Sequence, residues 1–122
     1  MADRPTGFWG TVRRWASGAD SESQRERAAA GCTPVSEISD RERARVRGTL
    51  QTVTLQPRAG MPALEAELYD GSGVVTLVWL GRRRITGIDC GRRLVASGRV
   101  ASVEGRRLMY NPQYRLLPAG AA

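Results

Sequence analysis

The sequence predicts an all-β protein: a five-stranded barrel with a short helical N-terminal extension. Three observations carry that prediction. From Arg45 onward the apolar residues alternate with the period of strands, in runs separated by Pro, Gly and Asp. The first of these runs changes parity midway, Val46 and Leu50 fitting one face and Val53 and Leu55 the other. A parity shift inside one strand is the mark of a β-bulge, and a bulge lets a strand bend into a barrel. The residues before Arg45 show no such alternation and read as one or two short helices with loose connections.

Taken in order, Met1–Arg4 is a frayed terminus. Over Thr6–Ala16, Phe8, Val12 and Trp15 recur at helical spacing and share one face, with Arg13 and Arg14 beside it. So short a helix is marginal alone in water, and its apolar face needs a partner: the barrel, another protein or a lipid surface. Gly18 ends it. Asp20–Ala30 is charged and alanine-rich, with serines suited to capping, before Gly31, Thr33 and Pro34 break the pattern. The first strand covers Arg45–Gln56, followed by the loop Pro57–Pro62. The second, Ala63–Tyr69, turns Leu64, Ala66 and Leu68 inward and Glu65, Glu67 and Tyr69 outward. Asp70–Gly73 is a hairpin signal. The third strand, Val74–Leu80, is apolar on both faces, leaving Val74, Val78 and Leu80 outward. Gly81–Asp89 lacks alternation and has room for a short helical turn. The fourth strand covers Arg92–Val100, Val103–Gly105 turns the chain, and the fifth covers Arg106–Asn111. Pro112 ends that strand or marks an edge. Tyr114, Leu116 and Leu117 form a last extended stretch, and Pro118–Ala122 is a disordered tail. The organisation is an extension over 1–44, one domain over 45–117 and a tail over 118–122.

The charge is unevenly placed. All 19 basic residues are arginine, and there is no histidine. Met1–Ala44 holds seven Arg and seven Asp/Glu, which cancel; Arg45–Ala122 holds twelve against five and carries the whole +7. With a pI of about 10.9, the chain calls for an anionic partner, nucleic acid or an anionic membrane surface. A genome rich in G and C accounts for arginine over lysine, but not for its confinement to one part of the chain. Without His or Lys there is no Ser–His–Asp triad, imidazole base, Schiff-base lysine or HExxH metal site. The acids of the β part (Glu65, Glu67, Asp70, Asp89 and Glu104) form no convincing catalytic pair, so the expectation is a non-enzyme without metal or cofactor. Cys32 and Cys90 lie far apart and read as reduced thiols. No apolar stretch approaches the roughly 18–20 residues of a membrane span, and no leader resembles a signal peptide. A cytoplasmic protein is expected.

Five strands over 45–117, a bulged first strand and an irregular segment between the third and fourth match the OB-fold, which binds oligonucleotides across strands 2–3 and the loops 1–2 and 4–5. The run Leu68-Tyr69-Asp70-Gly71-Ser72-Gly73-Val74-Val75-Thr76-Leu77-Val78-Trp79 resembles the strand 2–3 hairpin of OB domains in the anticodon-binding superfamily. Gly91–Arg107, followed by Leu108-Met109-Tyr110-Asn111-Pro112-Gln113-Tyr114, is similar to the end of the wedge domain in RecG-type branched-DNA helicases. The layout also resembles small stand-alone actinobacterial OB proteins with an aromatic-basic N-terminus. The resemblance covers Arg45–Leu117 and does not reach the helicase motors, so it implies no ATPase or unwinding. It implies binding of single-stranded or branched nucleic acid, DNA or RNA.

The candidate contacts follow from that layout. Arg58 sits in the loop between strands 1 and 2, and Arg106 and Arg107 close the loop between strands 4 and 5. Arg82, Arg83 and Arg84 either extend the positive path or solvate an exposed turn. Arg92, Arg93 and Arg99 read as a solvated face. Tyr69 and Tyr114 are the stacking candidates, with Thr76 on the groove between the arginine loops. Trp79 shares parity with Val75 and Leu77 and reads as core, and Tyr110 shares parity with Leu108 and reads as packed. Outward Glu65 and Glu67 beside Tyr69 repel phosphates, so either the groove runs lower, past Thr76 and the arginine loops, or the module no longer binds nucleic acid. Outward Val74, Val78 and Leu80 support a second reading: a protein–protein adaptor, held at a membrane surface by Phe8, Trp9 and Trp15 with Arg13 and Arg14.

Overall fold

The computed structural model describes residues 31–118. The expected helix over Thr6–Ala16 and the charged stretch Asp20–Ala30 lie outside the described residues. A 3-10 turn, Val35–Glu37, leads into six strands: β1 (Arg43–Leu55), β2 (Ala63–Tyr69), β3 (Val74–Leu80), β4 (Arg93–Val103), β5 (Arg106–Tyr110) and β6 (Gln113–Leu116). Their order is β1-β2-β3-β5-β4-β6, and β4 also pairs with β1, so the first five close into a barrel. β3 and β5 run parallel, and the other pairs are antiparallel.

The closure depends on β1. Arg43–Thr49 pair with β4, while Thr49–Leu55 pair with β2, so Thr49 belongs to both ladders. The register with β2 shifts between Leu50 and Thr52, which is the bulge that the parity change anticipates. Next to the corner, Gly48 passes so close to β2 that a Cβ there would meet the Tyr69 carbonyl oxygen. β1 begins two residues before the expected start.

The barrel is filled by Val46, Leu50, Leu68, Val75, Leu77, Trp79, Leu94, Val100 and Met109. Val35 and Ile38, which precede β1, pack into the same core. The hairpin Asp70–Gly73 fixes their approach. Asp70 Oδ1 accepts from the backbone N–H groups of Ser72 (2.8 Å) and Gly73 (3.1 Å) and from the Ser72 hydroxyl (2.7 Å). Asp70 Oδ2 accepts from the Val35 N–H at 2.9 Å.

Three expectations change. Gly81–Arg92 holds turns and no helix; Ile85 and Ile88 anchor it in the core, and Gly87, at φ +88°, lies against Leu116. β4 continues to Val103, past the expected end at Val100. The final stretch is a paired strand: β6 lies along the same edge of β4 as β5, one residue out of register with it. Asn111 makes the break at φ 49°. Its N–H donates to the Val78 carbonyl (2.6 Å), and its Oδ1 accepts from the Leu80 N–H (3.0 Å). Pro112, with no N–H to pair, falls where the ladder is already interrupted.

Two stability predictions follow. A side chain forced against backbone at a packed position costs about 1–3 kcal/mol. Gly48→Ala is therefore expected to lower the unfolding free energy by about 2 kcal/mol in urea titration, and a change below about 0.5 kcal/mol would mean that the corner relaxes freely. Asp70→Ala leaves the Val35 N–H without its acceptor. We expect a loss of about 2–3 kcal/mol, with new tryptic cleavage at Arg41; unchanged proteolysis would show that the 3-10 turn docks without the aspartate.

Candidate nucleic-acid interface

The outer face of β1–β2–β3 is set by register. One row runs Thr52–Glu67–Thr76 and the next Thr54–Glu65–Val78, continued on β5 by Tyr110. Over these rows lies a shallow groove of ≈ 550 Å³, lined by Thr52, Thr54, Gln56, Pro57, Arg58, Glu65, Glu67 and Arg106. Arg58 is held by a miniature hairpin: its N–H and carbonyl pair with those of Met61 at 2.8 and 2.9 Å, around Ala59 and Gly60, both at positive φ. That is the type I′ geometry.

Arg58 is not a bare cation. Its Nε and Nη2 both donate to Glu65 Oε2, at 2.9 and 2.6 Å, with the side chains 29% and 13% exposed. Its guanidinium lies 5.6 Å from the centroid of the Tyr110 ring, and Nη1 donates to the Tyr110 hydroxyl at 3.3 Å. Arg106 Nη2 donates to Thr76 Oγ1 at 3.3 Å, and the Thr52 hydroxyl donates to Glu67 at 3.1 Å. Two arginines therefore stand over a floor with two glutamates, and the groove is close to neutral.

The other expected site residues are dispersed. Arg107, one residue from Arg106, points away from the groove and donates to the Ser36 carbonyl at 3.3 Å. Tyr69 is half-buried on the groove's parity but at its hairpin end, its hydroxyl donating to the Gly71 carbonyl at 3.4 Å. Thr76 is buried. Arg82, Arg83 and Arg84 are exposed beyond the end of β3, where the Gly81 N–H donates to the Pro62 carbonyl at 2.7 Å. Tyr114 is 39% exposed but faces Trp79 edge-on, at 5.6 Å and 78°. Trp79 is core, as expected, and its Nε1 donates to the Pro112 carbonyl at 3.2 Å.

Two expectations are overturned. Tyr110 is 40% exposed, not packed; its neighbour in parity, Leu108, is buried in a separate outer cluster with Ala63 and Val78. For the same reason Val78 is buried and is not an exposed apolar contact.

Alternation alone does not single out a further group. On the outer face of β1–β4–β6 the register places Arg43 opposite Arg99, Arg45 beside Ser97 and Gln113, Arg47 and Arg115 on either side of Val95, and Thr49 beside Arg93. The run Arg43-Ala44-Arg45-Val46-Arg47 alternates but straddles the expected start of the strand, so only the register brings these arginines together with those of β4 and β6.

No family model and no curated protein matches the chain. Among solved structures it is similar to one of RecG bound to a three-way DNA junction, at 21% identity and a TM-score of 0.51. The match covers 70% of this chain and 12% of that one, so the chain spans about an eighth of the RecG length. A likeness at this identity speaks to the fold. It agrees with the resemblance carried by the hairpin and the Asn-Pro-Gln-Tyr segment: the described residues form an OB-type barrel of the kind found in RecG.

Proposed function

We propose that the chain is a non-enzymatic OB-fold module that binds single-stranded or branched nucleic acid with little sequence preference. The observation that carries this reading is the groove across β1–β2–β3, bounded by Arg58 and Arg106 and edged by the exposed ring of Tyr110. Arginines over the groove take phosphates, which position a strand without reading its bases. Tyr110, and Tyr69 at the far end, offer rings for stacking, a contact that every base can make. The RecG structure that shares the barrel holds a three-way DNA junction, which supports the same class of ligand. Arg107, Arg82, Arg83, Arg84 and Tyr114 are secondary contacts in this reading, because the fold places them off the groove.

The adaptor reading keeps one specific support. Leu55, Met61 and Leu80 are exposed around the start of β2, where Leu55 faces Leu64 and Leu80 faces Ala63. Its membrane anchor, Phe8, Trp9 and Trp15, lies outside the described residues.

The test is fluorescence anisotropy of labelled single-stranded, duplex and forked oligonucleotides across salt. Saturable binding to single strands is expected, with a log–log salt slope of about −0.7 per phosphate contacted. Absence of binding at low salt would sink the proposal. Arg58→Gln with Arg106→Gln should weaken single-strand binding about thirtyfold, since each lost exposed charge contact is worth up to about 1 kcal/mol; Arg107→Gln should change it far less. Equal losses from all three substitutions would point to bulk charge and not to the groove.

Glu65 gives a prediction of the opposite sign. Replacing it by Gln removes the carboxylate that holds Arg58 and returns that cation to solvent. Glu65→Gln is expected to tighten single-strand binding about fivefold at low salt, the advantage shrinking as salt screens it. Weaker binding would mean that the pair positions Arg58 for contact and does not compete with the ligand.

A further inference from the structure

We infer that the outer face of β1–β4–β6 is a second nucleic-acid surface, which takes the phosphate backbone of a duplex arm. This rests on the proposed nucleic-acid binding and adds to it a second site with a different preference. Ten register positions make up the face, six of them arginine and none a carboxylate. On the preceding segment Glu42 Oε1 accepts from the Ser39 N–H (2.7 Å) and Asp40 Oδ1 from the Ser102 N–H (2.8 Å); both are tied to backbone groups and keep their charge.

Within the face, Arg43, Arg99 and Arg115 are exposed and carry the argument; Arg45, Arg47 and Arg93 each make an interaction of their own and no weight is placed on them. Arg43 and Arg99 are direct partners across the β1–β4 ladder. Like charges directly opposite one another destabilise a sheet, and a polyanion lying across both removes that repulsion. Arg99 is held in place, its Nη1 donating to the Arg41 carbonyl at 2.7 Å.

Side-chain type chooses the ligand. Of the remaining positions, Thr49, Ser97 and Gln113 are not aromatic, and Val95 is buried under Cys32 and Leu117, which divides Arg43 and Arg99 from Arg115. Unpaired bases gain affinity by stacking, and among the described residues this surface offers no ring for it. A duplex keeps its bases stacked inside and presents phosphates at one charge per ≈ 1.7 Å of helix axis, which suits a ring-free arginine sheet. The groove, with Tyr110 and few net charges, has the opposite character. A module with one face for each strand state fits a tailed or forked ligand.

The experiment compares the full chain with the triple variant Arg43→Gln, Arg99→Gln, Arg115→Gln and with the single variant Gln113→Glu. The probes are a blunt DNA duplex, a single strand and vesicles containing anionic lipid. The triple variant should bind duplex about tenfold more weakly, with the log–log salt slope shallower by about 2.7, three contacts at about 0.9 each. Single-strand affinity should stay within about twofold of the parent. Gln113→Glu, which leaves every arginine in place, should shift duplex binding in the same direction, and it decides the matter if the triple variant does not fold. Unchanged duplex binding in both variants would overturn the inference, as would a parent chain that binds single strands and no duplex. Loss of vesicle binding with duplex binding intact would reassign the face to a membrane. A parent that binds neither oligonucleotide defeats the underlying nucleic-acid reading instead, so the two failures are distinguishable.

Discussion

Everything in this barrel turns on the corner in β1. One strand pairs with β4 along its first half and with β2 along its second, and Thr49 is the residue common to both ladders. Such a turn needs room for backbone to approach backbone, which Gly48 supplies against the Tyr69 carbonyl. It also needs an extra residue on the outside of the bend, which the shift between Leu50 and Thr52 supplies. The loop before β4 braces the corner: the Leu50 N–H donates to the Arg92 carbonyl at 2.9 Å, and the Gly91 N–H donates to the Leu50 carbonyl at 2.7 Å. The corner thus reaches the irregular segment that carries Ile85 and Ile88 into the core.

The same bulge sorts the surface chemistry. Before it, odd-numbered residues face outward, which exposes Arg43 and Arg45; after it, even-numbered residues do, which exposes Thr52 and Thr54. One strand therefore presents guanidinium groups on the β4 side and hydroxyl groups on the β2 side. A continuous strand of the same composition would have put arginines and the later valine and leucine on one face. Charge segregation in this module is a consequence of closing the barrel, not a separate feature laid over it.

Much of this was legible in the residues. The switch from Val46 and Leu50 to Val53 and Leu55 announced the bulge, the alternation of Leu64, Ala66 and Leu68 gave β2 its inner face, and Asp-Gly-Ser-Gly marked the hairpin. Parity failed where the outer face is itself covered. Leu108 and Val78 are apolar and buried, yet they belong to a cluster with Ala63 apart from the main core, so Tyr110, which shares parity with Leu108, lies exposed at the groove edge and not packed in the core. The partners of Arg58 and Arg107 were illegible for another reason. A glutamate seven residues along the chain and a carbonyl of the 3-10 turn become neighbours only through the tertiary fold. A side-chain hydrogen bond between loops leaves no periodic trace in a sequence.

Distance and screening keep the charges of the two outer faces largely separate. Opposite layers of β-structure stand about 10 Å apart, while the screening length at physiological ionic strength is about 8 Å. The glutamates of the groove therefore do little to offset the arginines beyond the corner. At low salt the whole +7 chain attracts any polyanion, and the faces look alike. As salt rises, the long-range field fades first and only directly contacting groups continue to discriminate. If both faces bind as proposed, selectivity between strand states should then emerge as overall affinity falls. Stacking would add to the groove a contribution independent of phosphate contacts, whereas the arginine face would hold its ligand through phosphates alone. Raising the ionic strength would therefore shift the balance away from duplex and toward unpaired strand.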